Sequence, residues 1–417
     1  MAILPRGLRT RFQGRHTLRG HAWQSLANYA QQGFGLLFGM ALARLLTPAD
    51  FGAYGFAFAT IILVLLPANW TLAQALVADK SRTPSLYEYA TGFGWSVAIV
   101  RLGITAIVAV WLLSTERSQM AWLCLIIGAT ESLRELNNVQ RGWLEGQSNF
   151  KPNFSAVLTN VAFCIVIVVP VSLFFHWGPY VLALPSLGGV VTDFVIYRHF
   201  TGKSIFTKPK WLIPREFLHS SFWLSLNMFS DIMLLRFDKW CVGNFRGENA
   251  LGYYNRAFAY VPLSHLVLSS LIGNPTVTGL VRCENGAGRA RLFRRTAIIL
   301  FAGGLANWIV FFFFSRPIVL FLFGPQWEQS IPIFEAFASL SIAYAIAYLP
   351  ITVMYAAGRF SETALVRLGS LVVFAGAAFA FRQDISTTTI AWLIQAVLVI
   401  QGAILFVRCR NYFTQIG

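Results

Sequence analysis

Arg101, Asp231, Arg256 and Glu335 all fall inside long apolar stretches of a 417-residue chain. A charge placed in hydrocarbon is costly, so each of them invites a functional role. A guanidinium in such a place can grip a phosphate bidentately or pair with an acid on another helix. Arg101 has no acid within one helical turn, so both roles stay open. Arg256 stands beside it as a candidate ligand for an anionic head group. An intramembrane carboxylate pairs with a cation or cycles a proton. Asp231 leads the coupling candidates, with Asp238 and Glu335 behind it and Asp193 a secondary one.

Spacing groups some of these residues. At about 100° per residue, Gln24, Asn28, Gln31 and Gly35 lie within an arc of roughly 60°, a polar stripe. Amides both donate and accept, which suits a sugar or a bond between helices. Asn227, Asp231 and Asp238 lie within an arc of about 40°. Arg236 and Lys239 fall off that stripe, where they can reach a ligand, pair with Asp238 or snorkel. Glu131 and Arg134, three apart and with Glu135 adjacent, read as an internal ion pair. Gly35 and Gly39 form a GxxxG that reads as a helix contact, and Thr47, Pro48 and Asp50 read as the start of a helix.

These residues need membrane helices to hold them. The chain is 56% hydrophobic and 12% charged, with a mean hydropathy of +0.59. A soluble domain carries about a quarter charged residues. Windows of about 20 apolar residues occur at roughly 23–43, 51–70, 90–113, 119–137, 154–175, 178–197, 220–243, 250–273, 295–314, 330–350, 363–381 and 388–407. The expected fold is an all-α polytopic membrane protein of about twelve spans.

The net charge of +16 has a topological explanation. Basic residues concentrate in the first segment (Arg6 to Arg19), in 198–219, in the loop holding Arg282 to Arg295, and at Arg408 and Arg410. All four lie on one side if the spans alternate. By the positive-inside rule both termini are cytoplasmic, and nucleic acid is not an expected partner. The basic start runs into a full-length span, so no cleavable signal is expected. Five scattered cysteines, Cys124, Cys164, Cys241, Cys283 and Cys409, read as packing residues, with no metal site. No cofactor is expected either.

An internal repeat sets the organisation. A shift of 200 positions aligns Trp23 with Trp223, Ser25 with Ser225, Leu26 with Leu226, Gly52 with Gly252 and Tyr54 with Tyr254; Ala57 to Ala59 meets Ala257 to Ala259. Asp231 is then the counterpart of Gln31. Two six-helix lobes follow, 23–197 and 220–407, related by an axis along the membrane normal. They sit between a basic segment 1–22 and a tail 408–417. The linker 198–219 is expected to carry a short interfacial helix around Trp211, Leu212, Ile213, Phe217 and Leu218.

Three stretches carry a family resemblance. Ala43 to Phe58 (ARLLTPADFGAYGFAF), Asp238 to Ala257 (DKWCVGNFRGENALGYYNRA) and Leu322 to Trp327 (LFGPQW) resemble signatures of the Wzx-type polysaccharide flippases, in the multidrug/oligosaccharidyl-lipid/polysaccharide exporter superfamily. The resemblance implies the extruder fold and movement of an undecaprenyl-pyrophosphate-linked oligosaccharide to the periplasmic leaflet of the bacterial inner membrane. The implied partners are that lipid-linked oligosaccharide, a coupling proton or sodium ion, membrane lipids and a polymerase of the same pathway. Many such flippases have fourteen spans, and this chain departs from them in the last pair.

Two other readings compete. An integral polymerase or transferase acting on the lipid-linked saccharide would want convergent His and acidic groups near one face, and the six histidines pair with no acids. A cation-coupled multidrug extruder of the same fold would want an acidic, aromatic cavity, whereas a cationic one favours the saccharide lipid. No Gly-rich phosphate loop with Lys-Ser/Thr is present, so ATP hydrolysis by the chain itself is not expected.

Overall fold

In the computed structural model, the described residues are 6–68, 76, 84–147, 149–175, 177–211, 215–263, 265, 267, 269, 276, 279, 280, 283 and 286–414. Within the helices, the side chains of 6–22, 24, 25, 215–222, 224, 225 and 410–414 lie outside that description. Among the described residues there are helices and no strands: α1 (Arg6–Leu45), α2 (Pro48–Leu65), α3 (Pro84–Ser114), α4 (Ser118–Gly146), α5 (Lys151–Phe174) and α6 (Leu184–Thr201), followed by α7 (215–246), α8 (248–260), α9 (Gly286–Phe313), α10 (Ser315–Phe323), α11 (Ile331–Phe337), α12 (Leu340–Ala356), α13 (Phe360–Ala380) and α14 (Thr387–Thr414). A helix lies in eleven of the twelve expected stretches, and of the remaining one, 250–273, the helix is described to Tyr260 while most of 264–273 lies outside the described residues.

Composition explains the helices, and local chemistry explains their ends. Thr47 and Asp50 close a reciprocal cap at the start of α2: Asp50 N–H donates to Thr47 Oγ1 (3.2 Å), and Thr47 N–H donates to Asp50 Oδ2 (2.9 Å). Pro170 lacks an N–H, and just before it α5 widens into a π turn at Cys164–Val168. Gly247, at φ 83 and ψ 179, separates α7 from α8, a conformation that a side chain would strain.

Among the described residues seven helices are long and apolar enough to cross a membrane by themselves, and the pair α11 and α12, bent by 40°, makes an eighth when counted as one broken span. The freed carbonyls at that break are caught by amides. Gln395 Nε2 of α14 donates to Ala336 O (2.8 Å), Asn307 Nδ2 of α9 donates to Ala338 O (3.3 Å), and Ser339 Oγ donates to Gln395 Oε1 (2.8 Å). Away from water this is how a broken span is tolerated. Ile107, Val166, Val372 and Val407 are each about 70% exposed, as lipid-facing side chains are.

The chain forms two compact units. The first comprises Met1–Leu46 and Thr60–Phe217, the second Thr47–Ala59 and Leu218–Gly417. In the first, α3 packs along α4, α6 packs on α4 and α5, and α1 packs on α5. In the second, α12 packs on α9 and α14, and α13 packs on α14.

Residues 202–211 form a non-helical strap along α3, and of the stretch expected to hold a short interfacial helix, residues 217 and 218 fall in the first turn of α7. Lys210 N–H donates to Gly92 O (2.9 Å), Trp95 Nε1 donates to Ile205 O (2.7 Å), and Ser96 Oγ donates to Lys210 O (2.8 Å). Lys203 Nζ lies 3.8 Å from the Trp143 ring centroid and 4.8 Å from that of Tyr87. Burial lowers its pKa from the ordinary lysine value, and Glu88 opposes the shift. Residues 212–214 and the side chains of Phe217 and Leu218 lie outside the described set.

Candidate functional site

The first unit encloses a cavity of about 450 Å³ between α1, α4, α5 and α6. Each helix contributes a stripe at three- and four-residue spacing, as one helix face requires. Asn28 and Gln31 come from α1; Arg134, Asn137, Asn138 and Arg141 from α4; Asn153 and Asn160 from α5; Asp193 and Tyr197 from α6. Among the described residues the lining thus holds six amides and two arginines against one carboxylate.

This polar lining is held by bonds behind it. Asn137 Nδ2 donates to Val190 O (2.8 Å), which fixes α4 against α6. Glu145 Oε1 accepts from both Arg141 Nε (2.7 Å) and Asn153 Nδ2 (2.9 Å), tying α4 to α5. Arg134 pairs with Glu131 at 2.9 Å, as its spacing predicts. Asn160 Oδ1 is buried with no hydrogen-bond partner among the described residues. A buried acceptor of that kind costs about 1–3 kcal/mol until a donor reaches it.

Arg101 is not among the lining side chains. Its Nη1 lies 3.7 Å from Glu135 Oε2, with both side chains almost wholly buried, so α3 and α4 share an ion pair across their interface. The structure therefore places Arg101 opposite an acid on another helix. Gln24 falls outside the described side chains.

In the second unit the stripe of α7 meets α13. Asn227 Nδ2 donates to Phe360 O (2.7 Å), Arg367 Nη1 donates to Asn227 O (3.3 Å), and Arg367 Nη2 lies 3.3 Å from Asp231 Oδ1. Arg367 is mostly buried while Asp231 is 52% exposed, so the carboxylate can reach solvent or an ion without leaving its partner. Further along, Asp238 is fully buried and accepts from Tyr254 Oη (2.8 Å) and from the Lys239 backbone (2.7 Å). Lys239 Nζ donates to Leu235 O (2.7 Å) and sits 3.4 Å from the Phe258 ring centroid. Asp238 and Lys239 are thus brought together in one satisfied network, away from Asp231's exposed carboxylate.

Arg236 lies over the Phe58 ring (4.7 Å). Arg256 is buried among aromatics, 3.6 Å from the Phe51 centroid, with Trp327 at 5.8 Å and Tyr260 at 6.0 Å. Phe51 and Trp327 belong to two of the three stretches that carry the resemblance, and Arg256 to the third; here they form one cation–π cluster. Glu335 accepts from Ser315 Oγ (2.9 Å) beside the break between α11 and α12. Among the described residues no group of His, Cys, Asp and Glu could hold a metal ion.

Sequence reasoning passed over Arg367, Arg141, Asn137, Asn138 and Asn160. Arg367 was within reach, because it breaks an apolar span just as Arg101 does. The α4 stripe is also legible in its spacing, although the i, i+3 pair of Arg134 with Glu131 obscures it. The partners on α5 and α6 needed the fold.

The family profile described as "Polysaccharide biosynthesis protein" matches residues 41–332. Among curated proteins, none matches the sequence significantly. Among solved structures, a multidrug resistance MATE family transporter of the MOP superfamily, in an inward-facing conformation, superposes with TM-score 0.71 at 15% identity, covering 95% of this chain and 98% of that one. A MATE protein in complex with MaL6 gives 0.59 at 15% identity, covering 96% of each chain. A MOP superfamily transporter from Pyrococcus furiosus, described as having a binding pocket of reverse polarity, gives 0.53 at 16% identity, covering 96% of this chain and 94% of that one. At these identities the likeness is one of fold.

Proposed function

The chain belongs to the polysaccharide biosynthesis protein family and carries the MOP superfamily fold, and from that premise we propose that it is a secondary transporter flipping undecaprenyl-pyrophosphate-linked oligosaccharide units to the periplasmic leaflet. In this reading the protein lies in the bacterial inner membrane with both termini cytoplasmic, and its two six-helix lobes, 23–197 and 220–407, alternate in access. A lipid-linked saccharide must have its hydroxyls and phosphates sheltered while its tail stays in hydrocarbon. The amide-lined cavity of the first unit carries the proposal. Asn28, Gln31, Asn137, Asn138 and Asn160 match the alternating donors and acceptors of a sugar, and Arg134 and Arg141 match a phosphate.

The same fold in a multidrug extruder would favour an acidic, aromatic cavity, and the amide and arginine lining supports the saccharide instead. Asp231, half-exposed beside Arg367, is the proposed coupling group for a proton or sodium ion. Arg101 is proposed to act on the head group through Glu135 and α4. Arg256, Arg236 and Lys239 are proposed to hold the second unit's path in shape through their aromatic contacts.

The test is transbilayer movement of a fluorescent undecaprenyl-pyrophosphate oligosaccharide in proteoliposomes of the purified chain. The expected result is protein-dependent translocation that Asn160→Leu and Arg141→Gln reduce without lowering reconstitution. Efflux of an aromatic cation such as ethidium, with no movement of the saccharide lipid, would replace this reading with the multidrug one.

A further inference from the structure

A second cavity, of about 370 Å³, lies in the second unit between α13 and α14. Its walls are Leu365, Val373, Ile400 and Ile404, each between 42% and 58% exposed, so it opens sideways toward lipid. Its floor is Gly369, where a Cβ would meet nothing within 4 Å. Among the described residues the one charged group on its lining is Arg408, at one end. Arg408 Nη1 lies 3.6 Å from Glu362 Oε2, and Arg359 donates from Nη1 to Arg408 O (3.2 Å) and also pairs with Glu362. Among the described residues, two cations thus share one acid at the mouth, leaving a single surplus positive charge.

The dimensions identify what fits. From Val397 to Arg408 the α14 wall rises about 16 Å at 1.5 Å per residue, close to half of a ~30 Å hydrocarbon core. The groove is therefore as deep as one leaflet, apolar along its length and cationic at the membrane surface. We propose that it binds one anionic phospholipid, an acyl chain lying over Gly369 and the phosphate on Arg408. A single surplus charge suits a monoanionic phosphodiester, whereas a pyrophosphate would want more. A polyprenyl chain would overrun the groove several times. The phospholipid end is cytoplasmic in the topology proposed above, but binding itself does not rest on that orientation.

Native mass spectrometry of the full chain, released from micelles supplied with phosphatidylglycerol or phosphatidylcholine of identical acyl chains, tests this. Retention of phosphatidylglycerol should exceed that of phosphatidylcholine by roughly fivefold, the worth of one arginine at an anionic membrane surface. Arg408→Gln should erase the preference while keeping both lipids. Gly369→Trp should lose both lipids, while Val372→Trp, on an exposed position outside the groove, should lose neither. Should Gly369→Trp fail to fold, Gly369→Leu and Arg408→Gln carry the test. Equal retention of the two lipids, undiminished retention in a folded Gly369 variant, or displacement of phosphatidylglycerol by undecaprenyl phosphate would each overturn the proposal. None of these outcomes bears on saccharide translocation in proteoliposomes, so failure here leaves the transport reading standing.

Discussion

Gly52 and Gly252, 200 positions apart, each face the backbone carbonyl at the start of the other's helix. A Cβ on Gly52 would stand 1.7 Å from Glu248 O, and one on Gly252 would stand 1.9 Å from Pro48 O. Pro48 and Glu248 are themselves 200 apart, so the first turns of α2 and α8 cross about a local two-fold, backbone to backbone. That crossing accounts for Thr47–Ala59 belonging to the second unit, and for the matching glycines of the internal repeat.

Any side chain at this crossing must push two helix backbones apart. Gly52→Val and Gly252→Val are expected to destabilise the protein by about 1–3 kcal/mol or more, as overpacked sites do. Gly33→Ala, whose Cβ meets nothing within 4 Å, should leave stability unchanged. Thermal unfolding of the detergent-solubilised protein, followed by size exclusion, compares the three; equal midpoints would remove the crossing as a packing constraint.

The Asp231–Arg367 pair lets the proposed coupling role be tested apart from folding. Their pair is half-exposed at the carboxylate, so Asp231→Asn should change stability by no more than ~1 kcal/mol. If Asp231 couples transport to an ion, the same variant should lower translocation by roughly tenfold or more, the equivalent of ~1.4 kcal/mol. Translocation driven by an imposed pH or sodium gradient, set against unfolding midpoints, reads both. Unaltered gradient dependence in Asp231→Asn would sink the coupling role.

Gln395 bridges the broken span by binding both Ala336 O and the Ser339 hydroxyl. Gln395→Leu keeps the bulk and leaves a carbonyl unpaired in an apolar setting, at a cost of ~1–3 kcal/mol. Gln395→Glu retains an acceptor for Ser339 but loses the donor for Ala336 O, and should also lower the midpoint. Wild-type midpoints for both variants would mean that the carbonyl finds another donor.

Arg101 and Glu135 form a buried pair, so removing one partner strands the other. Arg101→Ala is expected to cost about 3–5 kcal/mol, and Arg101→Ala with Glu135→Ala should recover much of that loss. If the double variant accumulates normally yet yields no surface polysaccharide in a strain lacking the native gene, Arg101 has a role in transport beyond its pair. Restored polysaccharide would reduce it to a structural residue.

Much of this protein was legible before folding. The all-helical apolar character, the charge asymmetry, the Thr47–Asp50 cap and the 200-residue repeat depend on composition and on neighbours within a turn or two. Hydrocarbon makes those signals strong, because a spanning segment must be both helical and apolar along its whole length. The polar stripe of Asn28 and Gln31 was visible for the same reason, since helical periodicity puts both on one face. Which face meets which is set by side-chain packing between helices distant in sequence. Asn160 of α5 and Asp193 of α6 could join Gln31 only once α1, α4, α5 and α6 enclosed a cavity. Glu135 could be assigned to Arg101, and Arg367 to Asp231, only once α3 lay on α4 and α13 on α7. In the bilayer an unmatched polar group has no water to turn to, so the interhelical partner decides what each intramembrane charge does, and only the tertiary structure names that partner.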